Sequence, residues 1–162
     1  MSTGDSHTLL EAEDRVKSLG LPIPKRPFGN DTEELAWPEN VADLDTVELA
    51  RHLTWWQAWS GYVRYQLARA ETNHEAFSTQ FRIETQLKII KSTGDHKTVT
   101  ELKASVAQFP EMQKLEKSML RAESEKKLLK ALLENYEGKY KTVSREVTRR
   151  SAEFEEGSRY QA

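Results

Sequence analysis

The sequence predicts an all-α protein: a long antiparallel helical hairpin with coiled-coil seams and an extended N-terminal arm, assembling as a helical oligomer. Three observations predict it. First, Met112, Leu115, Met119, Ala122, Lys126, Leu129, Leu133, Tyr136, Tyr140, Val143, Val147, Arg150 and Phe154 recur at alternating steps of three and four. That is the a/d seam of a heptad, held for about six repeats. Second, Leu49, Leu53, Trp56, Ser60, Val63, Leu67, Ala70, His74, Phe77 and Phe81 keep the same rhythm. Third, four of the five prolines, Pro22, Pro24, Pro27 and Pro38, fall together before the first of these seams in the chain, and the fifth, Pro110, stands just ahead of the other. A strict seven-residue repeat drifts on a straight helix, so seams of this length imply a supercoiled partner. At ~1.5 Å per residue the later helix would extend roughly 65 Å. An ordinary domain of this length is only about 30 Å across, so each long helix needs another long helix beside it.

Three regions follow. Residues 1–44 form an acidic, proline-containing arm, residues 45–156 the long-helix body, and residues 157–162 a frayed tail. In the arm, Thr8 with Glu11 reads as a capping box opening a short helix over Leu9 to Leu19, which Gly20 ends. The prolines and Gly29 make Leu21 to Pro38 a linker. Leu21, Ile23, Phe28, Leu35 and Trp37 are too apolar for a free tether, so the linker should pack on the body or on a neighbouring subunit. Asp45 opens the first long helix, with Glu48 completing its capping box. On that helix Trp55, Trp59 and Tyr62 form a second stripe, and Ile83, Leu87 and Ile90 extend an apolar face toward its end. More than one neighbour must cover such a surface. Ser92, Thr93, Gly94 and Asp95 read as a turn. A short helix over Lys97 to Gln108 follows, and Phe109-Pro110 starts the second long helix, because the residue before proline avoids helical geometry while proline suits a first turn. Gly157 marks its end.

Composition limits the functional classes. The chain is 37% hydrophobic and 31% charged with no cysteine, which removes disulfides, thiolate catalysis and cysteine metal sites. No apolar run approaches a membrane span, and the polar start does not read as a signal peptide, so the expected location is cytoplasmic. The net charge of −2 hides an asymmetry: residues 1–48 hold eleven acids and four bases, the rest fifteen acids and twenty bases. An acidic arm on a basic body fits a body that meets a polyanion, or charges placed for solubility.

Catalytic motifs are missing. His7, His52, His74 and His96 lack metal-ligand spacing among themselves, and no phosphate loop or nucleophile elbow occurs. Glu71 and His74 have the E-x-x-H spacing of di-iron bundles, but no second copy accompanies them. The expectation is a non-enzyme without metal or cofactor. Binding residues are easier to find. Arg82, Lys88, Lys91, Lys97 and Lys103 surround the turn, where a hairpin would gather them into a phosphate-holding patch. Arg145, Arg149 and Arg150 add a basic run late in the second helix, amid mixed charges that ordinarily decorate a solvated face. The aromatic residues lie at helical spacing, which reads as packing before stacking on bases. Leu115, Met119, Leu129, Leu133, Tyr136, Tyr140, Val143 and Val147 form the candidate oligomerisation seam. Ser60, His74, Lys126 and Arg150 interrupt the seams with polar groups, a device that fixes register or oligomer state.

The order of parts resembles the phage recombination mediators of the UvsY type: an aromatic-rich stretch from Trp55 to Tyr65, then Phe81-Arg82-Ile83-Glu84-Thr85-Gln86, a polar break, and a long amphipathic C-terminal helix. The resemblance covers roughly Leu49 to Glu156, and the N-terminal arm looks like an addition. It implies a homo-oligomer that binds single-stranded DNA and helps load a recombinase onto strands coated by single-strand-binding protein, inside the host cell. It also implies DNA contacts from bases just after the Arg82-Ile83-Glu84 segment, where Lys88 and Lys91 stand before an uncharged Ser92, Thr93 and Gly94. The long C-terminal helix would drive assembly. The alternative is a structural or scaffolding coiled-coil protein, such as a virion or assembly component, without DNA binding.

Overall fold

The structure, a computed structural model, describes residues 5–28, 35–92 and 98–159. The described residues are all-α: α1 (His7–Ser18), a short 3₁₀ turn (Val41–Asp43), α2 (Thr46–Ser92), α3 (Val99–Ala107) and α4 (Pro110–Arg159), without a strand. None of these helices is long and apolar enough to cross a membrane.

Local chemistry accounts for most of the boundaries. Asp45 and Glu48 form the expected reciprocal cap, Glu48 N donating to Asp45 Oδ1 at 2.8 Å and Asp45 N to Glu48 Oε2 at 2.9 Å. Thr98 and Glu101 cap α3 in the same way, one residue inside the predicted start, while Lys97 and the predicted turn at Thr93 to Asp95 lie outside the described residues. Pro110 begins α4 as its fixed φ favours. Two expectations need correction. Ser6, and not Thr8, caps α1: its hydroxyl accepts from Leu9 N at 3.3 Å, while its own N–H donates to Asn73 Oδ1 at 2.9 Å. A tertiary bond outweighed the local capping box. α4 also passes Gly157 and continues to Arg159, since one glycine near a frayed end costs only about 1 kcal/mol.

Contacts divide the chain into two compact units. The first comprises Met1–Ile23 and Gln66–Leu128, the second Pro24–Tyr65 and Leu129–Ala162. Each unit therefore takes part of the arm, of α2 and of α4.

In the first unit, α2 and α4 meet with opposite sequence direction: Lys88 pairs with Glu111 at 3.3 Å, and His74 Nδ1 lies 3.5 Å from Lys126 Nζ. Ala70, Met112 and Ala122 are buried at their seam positions, and Leu102 and Val106 of α3 are buried as well. α1 docks through polar contacts as well as the buried Leu9. Arg69 holds Asp5 at 2.6 Å and Glu13 at 2.8 Å, and Asn73 Nδ2 donates to Asp5 Oδ1 at 3.0 Å.

The core of the second unit is aromatic. Trp56 is fully buried, packs on Tyr136 with ring centroids 5.4 Å apart, and donates its indole N–H to His52 Nδ1 at 3.3 Å. Lys139 Nζ sits 4.0 Å from the Trp56 ring, a cation–π contact. Burial, with Arg51 beside it, holds the His52 pKa below its ordinary value, consistent with a neutral ring accepting the indole proton. Of the linker, Phe28 and Trp37 pack within this unit, one of the two expected options. Phe28 stacks on Trp55 at 4.4 Å with its ring tilted by 10°, and Trp37 meets Trp56 edge-on at 6.1 Å. Phe28 adopts φ 60° for that stack, a left-handed backbone costing about 1 kcal/mol in a non-glycine residue.

Gly61 sits mid-helix with open space where a Cβ would be. Gly61→Ala should therefore stabilise the protein by about 0.5–1 kcal/mol, read as a higher urea midpoint, because helical backbone suits alanine and glycine loses more entropy on folding.

Candidate nucleic-acid interface

The predicted basic residues fall into two sets, one in each unit. In the first, Arg82 and Lys91 are exposed on α2 and Lys103 is exposed on α3; none of the three forms an ion pair among the described residues. Lys88 differs. Its ammonium is held by Glu111 at 3.3 Å and lies 4.5 Å from the Phe109 ring centroid. Lys91 is in the last turn of α2, where unsatisfied carbonyls favour a cation and would have to share it with an anion.

Arg82 also lines a groove of about 560 Å³ with Glu71, His74, Glu75, Ser78, Thr79 and Lys126. The Ser78 hydroxyl is buried there without a partner, whereas Thr72 and Thr85 on the same helix donate back to the carbonyl four residues earlier. Two permanent cations, one imidazole and a free hydroxyl donor could grip a phosphate, with Glu71 and Glu75 opposing on the wall. Lys126 was legible only as a polar break in the seam. Ser78 carried no sequence signal, because its value depends on where its hydroxyl points.

The second set is largely occupied. Arg149 grips Glu146 through Nη2 at 2.7 Å and Nε at 2.9 Å and also pairs with Glu153. Arg150 Nε shares the same Glu146 at 2.7 Å, and its Nη2 donates to the Ala42 carbonyl at 2.8 Å. Arg145 is exposed. Hydrogen bonds from Arg149 and then Arg150 pull the Glu146 carboxyl from its ordinary 4.5 down to about 2. A carboxyl lowered on folding adds stability above its unfolded value and loses it as the pH falls. The contribution of Glu146 should thus fade between about 4.5 and about 2. Carboxyl NMR titration should find this group ionised at a pH where exposed glutamates are half protonated, and Glu146→Gln should flatten this part of the acid transition.

The candidate oligomerisation residues share one face of α4. Val143 is fully buried, while Leu115, Met119, Leu129, Leu133, Tyr136, Tyr140 and Val147 are half-buried. In the second unit that face meets α2 of the same chain, through Tyr136 on Trp56 and Arg64 on Glu137 at 2.5 Å. Phe154, the predicted last seam position, is 80% exposed at the edge of a groove of about 590 Å³ that Leu49, Leu53 and Val147 also line. Ile83, Leu87 and Ile90 on α2 remain exposed at 47%, 46% and 69%.

No protein-family model, curated protein or solved structure matches this chain.

Proposed function

We propose that the chain is a recombination mediator of non-enzymatic type. Copies arranged as antiparallel hairpins with coiled-coil seams associate into a homo-oligomer, bind single-stranded DNA, and promote recombinase loading onto strands coated by single-strand-binding protein. The observation that carries this reading is the meeting of Arg82, Lys126 and His74 with the unpartnered Ser78 hydroxyl in one groove. The exposed Lys103 adds charge to the same unit. Such a site engages phosphates and not base edges, so it has little sequence preference. One chain neutralises few phosphates; an oligomer multiplies them on one strand.

A second reading, a scaffold without DNA binding, draws on a different observation. Arg149, Arg150 and Lys88 already hold carboxylates of their own chain. Anisotropy of a labelled single-stranded oligonucleotide separates the two readings. The mediator reading expects binding at low salt that weakens steeply as salt rises. No binding at low salt, or binding indifferent to salt, rejects it in favour of the scaffold.

A further inference from the structure

Resting on the self-association just proposed, we infer that Ile83, Leu87 and Ile90 form a two-fold contact between two copies of α2 running antiparallel, closed on both sides by Glu84 of one copy and Lys91 of the other.

The three side chains are spaced by four and three residues, as in a coiled-coil seam, and all are 46% exposed or more. That spacing selects a helix as occupant, since an extended peptide presents alternate residues and cannot match it. Farther back on the same helix, equivalent positions are already covered. The linker covers Trp55 through Phe28 in one unit, and α1 covers Arg69 and Asn73 in the other. Cover has ended by the exposed Gln80, and Ile83, Leu87 and Ile90 are the apolar part of the open stretch.

Charge chooses the occupant and its direction. With Ile83 and Ile90 at d and Leu87 at a, Glu84 and Lys91 both take position e, and Thr79 and Gln86 take g. Antiparallel helices set e against e, so a two-fold axis beside Leu87 places Glu84 opposite Lys91 twice. A parallel pair sets e against g, giving Glu84 only a threonine and Lys91 only a glutamine. The flanks therefore complement themselves only in the antiparallel two-fold arrangement, which fits a second copy of this chain. Lys91 is exposed and Glu84 half-buried, so neither must leave a deep site to make the contact. The contact also brings the turn-proximal bases of two chains beside one seam.

Sedimentation equilibrium of the full chain tests this. Lys91→Glu and Glu84→Lys should each weaken association on the order of tenfold, because two symmetric attractions become repulsions together. The combined swap, Glu84→Lys with Lys91→Glu, should restore association to within about twofold. Leu87→Lys should abolish the contact while leaving the helical circular dichroism unchanged, its site being exposed. A swap as weak as the single variants, or association indifferent to Leu87→Lys, overturns the contact and leaves self-association standing. A chain that is monomeric at every concentration overturns both.

Discussion

Trp56→Ala lowers the unfolding free energy by about 3–5 kcal/mol, the range for emptying a buried aromatic site. The indole is fully buried against Tyr136, donates to His52 and lies under the Lys139 ammonium. Truncation thus removes packing, a hydrogen bond and a cation–π contact together. Against a total of about 5–15 kcal/mol, the loss is roughly a fifth or more. For a chain of this length it corresponds to roughly 10 °C or more in melting temperature. Trp37→Ala is the internal comparison: that ring is 39% exposed and touches the same cluster from the linker, so its loss should be well under half as large. Equal losses would mean that the linker, and not the seam, holds the second unit together.

On the proposed reading, reversing Arg82 and Lys103 together, Arg82→Glu with Lys103→Glu, should weaken binding to single-stranded DNA by about 10- to 100-fold at low salt. Each phosphate contact to a single strand contributes about 0.7 to the slope of log K against log salt, so losing two should lower that slope by roughly 1.4. Both residues are exposed and unpaired among the described residues, and the double change leaves folding and sedimentation as they were. Arg149→Glu should affect binding far less, since its guanidinium already serves Glu146 and Glu153. If Arg149→Glu proved the more damaging, the strand would lie on the second unit instead.

The parts of the fold that depend on neighbours in sequence were legible. Asp45 with Glu48, and Phe109 ahead of Pro110, set helix starts through contacts within a few residues. Burial of Leu49, Trp56, Val63, Ala70, Met112, Ala122 and Val143 follows the heptad register. What escaped was set by distant partners. Ser6 took the cap of α1 because Asn73, far along the chain, holds its backbone. The left-handed turn at Phe28 exists for Trp55. The site divides the same way: the basic residues could be named from sequence, but which of them keep free charge could not. Arg149 and Arg150 stood among the expected DNA contacts, although Glu146, three and four residues before them on the helix, was a signal of ion pairing that the sequence offered. Ser78 depends on a rotamer, which sequence does not encode.

The most direct test of the central claim is the mass in solution, by light scattering, with and without a single-stranded oligonucleotide at low and high salt. The account predicts a particle that is a multiple of 18.7 kDa, that gains the oligonucleotide's mass at low salt and releases it at high salt while the protein assembly persists. A particle of single-chain mass under all conditions, or an assembly that takes up no oligonucleotide at low salt, would contradict it.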